Sequence, residues 1–127
     1  MNKVEKSNKI RLGIVGSRDF HDYNKFEEKL LDLLKEWGDP DIDYVVSGGA
    51  SGIDTLADEW CTENYIKIKV FEADWDLGRK AGPIRNSKIV EEITHLIAFP
   101  SHKGRGTQDT IKKAEKKGIP IKIHFVD

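Results

Sequence analysis

The sequence predicts an α/β fold: a mainly parallel, doubly wound five-stranded sheet with helices on both faces. Three observations predict it. Short apolar runs alternate strictly with stretches of helical periodicity, in the order β-α-β-α-β-α-β-α-β. Glycine-rich turns stand between the second and fourth strand runs and the helices that follow them. Hydrophobic residues are 38% of a 127-residue chain, enough for one buried core without disulfide or metal staples.

The elements follow in order. Residues 1–9 form a polar, lysine- and asparagine-rich leader expected to fray, and residues 10–127 form a single domain. Residues 10–16 are an apolar run ending in glycine and read as a buried strand. Asp22 is a candidate N-cap for a helix whose inner face is Phe26, Leu30, Leu33, Leu34 and Trp37, stopped by Gly38, Asp39 and Pro40. A second strand over 43–47 runs into a glycine loop, then into a helix over 53–64 with Ile53, Leu56, Ala57 and Trp60 on one face. Residues 66–71 alternate as a third strand with one exposed side, and 74–82 form a long charged loop. Pro83 suits the first turn of a helix reaching Ile93. Residues 96–99 make the fourth strand, a second glycine loop opens a helix through Ile111 and Ala114 closed by Gly118, and 119–126 make the last strand.

Composition narrows the function classes. The formal net charge of -1 creates no general field for nucleic acid, so an anion site has to be local. The lone Cys61 excludes an intramolecular disulfide and a cysteine-rich zinc site, and the scattered His21, His95, His102 and His124 show no metal-ligand spacing. No metal or other cofactor is called for. The first residues lack the apolar stretch of a secretory signal, and no run of about 18 apolar residues exists. The expectation is a cytoplasmic protein without a membrane segment.

In open α/β sheets ligands sit beyond the carboxyl ends of the strands, at the point where strand order reverses. Three loops with special residues leave such ends: Gly16-Ser17-Arg18, then Ser47-Gly48-Gly49-Ala50-Ser51-Gly52 with Asp54, then Pro100 to Thr107. The second loop is the sharpest signal. Glycines at a helix start let several N–H groups converge at the positive end of the helix dipole, a geometry that suits phosphate. Ser47 and Ser51 add hydroxyls. Asp54 repels phosphate, so it is read either as a helix cap or as an acceptor for a ribose hydroxyl. No Gly-Lys-Ser/Thr follows, which excludes a Walker loop. The loop Lys103-Gly104-Arg105-Gly106-Thr107 is a second candidate anion site of the same kind, with Thr107 expected to cap the next helix. Either loop also reads as an ordinary strand-to-helix turn. Arg18 and Arg85, the latter next to Asn86, offer planar forks for phosphate or are plain surface arginines. Trp75, beside Asp74, either stacks on a base or plugs the space under its loop. His102 is near enough to the second loop to touch a ligand. The lysine pairs at 112–113 and 116–117 read as a solvated helix face.

Taken together these stretches resemble the SLOG superfamily, named after the Smf/DprA proteins and the LOG enzymes, and within it the small YspA/YpsA-related branch. The resemblance rests on Gly16-Ser17-Arg18-Asp19-Phe20, on Ser47 to Asp54 with Leu56-Ala57, and on Phe71-Glu72-Ala73-Asp74-Trp75. It rests also on Ala81-Gly82-Pro83-Ile84-Arg85-Asn86, on Ala98-Phe99-Pro100 and on Gly104 to Thr107. It implies a Rossmann-like fold and a nucleotide or nucleotide-derived ligand. The LOG phosphoribohydrolases carry Pro-Gly-Gly-x-Gly-Thr-x-x-Glu with a glutamate that takes part in N-glycosidic cleavage. Here Ser101, His102 and Lys103 separate Pro100 from Gly104, and Thr110 stands at the glutamate position with Asp109 one residue earlier. One residue turns a helical side chain by about 100°. The binding half of the motif is thus better preserved than the catalytic half.

The leading expectation is a module that senses or sequesters a nucleotide-type small molecule. A nucleotide N-glycosidase using Asp54, Asp74 or Asp109 is the alternative, and a single-stranded DNA binder a third, against which the overall charge argues. A homo-oligomer is expected from the resemblance, with the helices over 22–37 and 83–93 as candidate interfaces.

Overall fold

The computed structural model describes residues 9–127, so all of the expected leader except Lys9 lies outside the described residues. Strands β1 (Ile10–Gly16), β2 (Ile42–Ser47), β3 (Ile68–Val70), β4 (His95–Phe99) and β5 (Ile121–Ile123) alternate with helices α1 (Tyr23–Glu36), α2 (Ile53–Glu63), α3 (Ala81–Glu92) and α4 (Gly106–Lys117). The sheet order is β3-β2-β1-β4-β5, and every pairing is parallel. The chain builds outward from β1 through β2 to β3, then crosses back to lay β4 on the other side of β1. The reversal of strand order therefore falls between β1 and β4, where Gly16 pairs with Phe99 at their carboxyl ends.

Strand alternation sends neighbouring side chains into two separate layers. Ile10, Leu12 and Ile14 of β1, Val45 of β2 and Ile97 and Phe99 of β4 meet Phe26, Leu30 and Leu34 of α1 and Leu56 and Trp60 of α2. Val15, Val46, Leu96 and Ala98 point the other way, onto Ile89, Val90 and Ile93 and onto Ile111 and Ala114 of α4. The central strands are covered on both faces, which is why they read as unbroken apolar runs. No helix among the described residues is long and apolar enough to cross a membrane.

Local signals explain the helix ends. Asp22 accepts a hydrogen bond from the Lys25 N–H at 3.1 Å, as an N-cap should. Gly118 closes α4 in the left-handed region at φ 80°, its N–H bonding to the carbonyl of Ala114 at 3.1 Å.

Four expectations need correction. The third strand is three residues long, not six. Tyr65 has φ 56° and the Ile66 N–H bonds to the Cys61 carbonyl at 2.9 Å, so the chain is still turning out of α2 where a strand was expected. The last strand is also three residues, although the His124 and Val126 N–H groups continue to bond to Ala98 and Pro100 carbonyls at 2.9 and 3.0 Å. The loop over 74–82 holds a 3-10 segment, Trp75–Lys80, running into α3. Finally, of the lysines read as a solvated face, Lys112, Lys116 and Lys117 are exposed as expected, whereas Lys113 is half-buried and bonded to Asp109 Oδ2 at 2.8 Å. Lys117 Nζ donates to the carbonyls of Val90 and Ile93, each at 2.8 Å, at the negative end of α3, where a cation is stabilised.

Candidate functional site

Beyond the carboxyl ends of β1 and β4 lies a cavity of about 420 Å³. Its wall is shared by the loops after β1, β2 and β4, by Arg85, Asn86 and Ile89 of α3, and by the start of α4. Of the residues singled out in the sequence, Gly16, Ser17, Arg18, Gly48, Ala50, Asp54, Arg85, Asn86, Gly104, Arg105, Gly106 and Thr107 are on that wall. Gly49, Ser51 and Trp75 line a smaller neighbouring cavity of about 200 Å³ that shares Arg18, Gly48, Ala50 and Arg85. Ser47, Gly52, Asp74, Pro100 and Asp109 line neither.

The first glycine loop is largely satisfied from within. Asp54, in the first turn of α2, folds back so that its Oδ2 accepts from the Ala50 N–H at 3.0 Å. The carboxylate thus ties down the loop before the helix and does not cap it: the N-cap of α2 is Gly52, with no side-chain capping bond. Ser47 Oγ accepts from the Gly49 N–H at 3.5 Å, and the Ile53 N–H bonds to the Ser17 carbonyl at 3.0 Å. Ser51 Oγ donates to the Arg18 carbonyl at 3.1 Å. Gly52 has φ 74° and ψ -128°, and a Cβ there would collide with the Ser17 carbonyl oxygen. This glycine serves the tight crossing of the first two loops.

Arg85 and Asn86 form a strut between the loops. Arg85 Nη1 donates to the Gly48 carbonyl at 2.7 Å and Nε to Asn86 Oδ1 at 2.9 Å. Asn86 Nδ2 donates to the Gly106 carbonyl at 3.2 Å and to Asp109 Oδ2 at 3.0 Å. The buried Asn86 therefore fixes the start of α4 against α3.

The second glycine loop is open. Its expected cap is absent: Thr107 lies inside α4, and the cap position is Arg105, whose side chain makes no capping bond. The backbone ladder begins with the Asp109 N–H, bonded to the Arg105 carbonyl at 3.2 Å. The N–H groups of Gly106, Thr107 and Gln108 precede it, at the positive end of the helix dipole. Lys103 and Arg105, both exposed, flank them and make no ion pair among the described residues.

Asp54 supplies the opposite chemistry. It is only 7% exposed, and its Oδ1 is the one buried side-chain N or O atom among the described residues without a hydrogen-bond partner. Burial pushes its carboxyl up to about 6, against the lowering influence of the Ala50 N–H and of Arg85. Asp109 differs. Burial raises it, but hydrogen bonds from Lys113 (2.8 Å) and Asn86 outweigh that, and its carboxyl sits below the ordinary range. It is off the cavity wall, and Thr110, one residue on, is buried and on it. That is the turn of the helix expected from the residue shift.

Trp75 is 60% exposed, which excludes the plug reading; its ring lies 5.8 Å from the Arg18 guanidinium carbon. Asp74 caps the 3-10 segment by accepting from the Asp76 N–H at 3.2 Å. His102 turns away from the cavity, with Nδ1 2.8 Å from Asp127 Oδ1 and its ring stacked on Phe125. Lys103, read from the sequence as part of the second loop, and Ser101 of the same segment are on the wall too, whereas Ile89, read only as a core residue of its helix, is a wall residue that sequence reasoning missed. No group of three or more His, Cys, Asp or Glu among the described residues is placed to hold a metal ion.

Comparison with known proteins agrees with this architecture. The family model for YspA, cpYpsA-related SLOG proteins (YAcAr) matches residues 10–78. The Gene 61 protein of Mycobacterium phage D29 is 36% identical over 124 residues, covering 92% of this chain and 97% of that relative. The X-ray structure of DNA processing protein A (DprA) from Streptococcus pneumoniae superposes with a TM-score of 0.71 at 20% identity, over 91% of this chain. The match spans 50% of that DprA chain, and the likeness concerns the fold. With its parallel sheet and its loop motifs in place, the chain belongs to the YspA, cpYpsA-related SLOG family.

Proposed function

We propose that the protein binds a nucleotide or nucleotide-derived small molecule in the cavity between its two glycine loops. The observation that carries this reading is the pairing of opposite chemistries on one wall. The N-terminus of α4, with Lys103 and Arg105, offers donors and positive charge to a phosphoryl group. Asp54 Oδ1 offers an unmet acceptor to a hydroxyl or N–H. Burying a carboxylate that keeps an orphan oxygen costs stability, and such costs are concentrated at functional sites. A phosphorylated sugar satisfies both ends at once: phosphate at α4, sugar hydroxyl at Asp54.

This places the phosphate at the second loop, not the first. A phosphate at the first loop meets the Asp54 carboxylate, which already occupies the Ala50 N–H. Titration calorimetry with ribose 5-phosphate and with 5′-mononucleotides tests the reading. Binding is expected, and a Lys103→Ala, Arg105→Ala double variant should weaken it at least tenfold, since charge-assisted hydrogen bonds contribute about 1.5–3 kcal/mol each. No heat with any of these compounds, or equal affinity in the double variant, would overturn it.

A second reading, cleavage of an N-glycosidic bond, draws on the same carboxylate. A wall carboxyl near 6 can exchange protons close to neutral pH, as a general acid or base must. Asp109 does not fit that role, being held by Lys113 and Asn86. Release of free base from a mononucleotide, lost in Asp54→Asn with binding retained, would establish the enzyme; unchanged nucleotide after prolonged incubation leaves the binder. Against single-stranded DNA stands the net charge of -1, with the cavity's cations gathered at one small recess.

A further inference from the structure

The smaller cavity is built unlike the main one. Its lining includes Trp75, a large ring left 60% exposed although indoles are usually well covered. The mount is fixed: Asp74 caps the segment, and the Leu77 N–H bonds to the Asp74 carbonyl at 2.9 Å. Arg18 approaches the ring from the end of β1 and makes no ion pair among the described residues. Glu72, an exposed residue, lines the same cavity beside Gly49. A Cβ at Gly49 would stand 2.8 Å from Val70 Cγ1 and 3.1 Å from Glu72 Cγ, so glycine permits this close approach. Glu72 itself makes no hydrogen bond or ion pair among the described residues.

Resting on the binding reading above, we propose that this second compartment is a nucleobase subsite and that it selects guanine. An indole face and a guanidinium plane both stack on delocalised rings. A carboxylate accepts two parallel N–H bonds and donates none. Guanine presents such a pair on one edge, from N1–H and the 2-amino group. Adenine presents one amino group beside a ring acceptor, which a carboxylate repels. The four wall residues shared with the main cavity let one molecule span both, its phosphate at α4 and its base on Trp75.

The test titrates the full chain with GMP, AMP and ribose 5-phosphate, read by calorimetry and by tryptophan fluorescence. GMP is expected to bind about 10- to 100-fold more tightly than ribose 5-phosphate, the usual worth of one stacked base. Trp75→Leu should bring GMP down to the level of ribose 5-phosphate while leaving the latter unchanged. Because Trp75 is largely exposed, that variant should fold. Glu72→Gln should remove the preference for GMP over AMP. GMP and ribose 5-phosphate binding equally, or a GMP advantage that survives Trp75→Leu, would overturn the subsite while leaving the binding reading in place. AMP binding as tightly as GMP would overturn the guanine assignment. No binding by any of the three would remove the binding reading and this subsite together.

Discussion

The two glycine loops look alike in sequence and do different work. Around Gly48–Gly52 the polar groups are largely engaged by the protein itself, although the loop also lines both cavities: the Asp54 carboxylate on the Ala50 N–H, Arg85 on the Gly48 carbonyl, the Ser17 carbonyl on the Ile53 N–H. Around Gly104–Gly106 the space is open. A Cβ at Gly106 would meet nothing within 4 Å, and the start of α4 faces the cavity with no side-chain cap. The lesson is that glycine density marks where backbone comes close to something, without saying whether that something is a ligand or another loop. At Gly52 it is another loop, the Ser17–Arg18 backbone.

The largest effect that would break this contrast is on stability. Gly52→Ala forces a side chain into an unfavourable φ and into the Ser17 carbonyl, and should cost about 3 kcal/mol or more in urea unfolding, from strain plus overpacking. A cost under about 1 kcal/mol would mean that the loop crossing is loose.

Next in size is Asp54→Asn, whose effect depends on pH. The folded carboxyl, near 6, is raised above its ordinary 3.8, so the folded state holds the proton more tightly than the unfolded one. This residue's contribution is therefore most favourable below pH 3.8 and is lost as pH rises through about 6. Removing the charge should stabilise the protein by about 1–3 kcal/mol at pH 8, with the gain shrinking toward zero near pH 4. A gain that does not change with pH would show that the carboxylate is not the cause.

The smallest stability effect belongs to Gly106→Asp. The site has room, and an added carboxylate sits well at a helix N-terminus, so stability should stay within about 0.5 kcal/mol of the parent.

What the sequence made legible follows the same division. Central strands β1, β2 and β4 and the inner faces of α1 and α2 were readable because burial on both sides leaves an unmistakable apolar run or stripe. The edge strands β3 and β5 were over-extended: single backbone bonds still reach Lys67, Phe71, His124 and Val126, but the regular ladder stops after three residues, and alternation such as Ile66-Lys67-Ile68-Lys69 does not mark where. The wall of the cavity was largely legible from motifs. The partition within it was not: whether Asp54 closes on Ala50, or whether Thr107 caps α4, depends on which N–H groups other loops leave unclaimed. Asp54 carried two readings, cap and ligand acceptor; the structure gives one oxygen to the Ala50 N–H of the preceding loop, a bond neither reading named, and leaves the other without a partner.

The most direct test compares ribose 5-phosphate binding by titration calorimetry to the parent protein and to Gly106→Asp. If the second loop holds the phosphate, the new carboxylate at the start of α4 should lower affinity by at least tenfold while the unfolding transition stays where it was. Unchanged affinity in a stably folded Gly106→Asp would contradict the assignment and return the phosphate to the first loop.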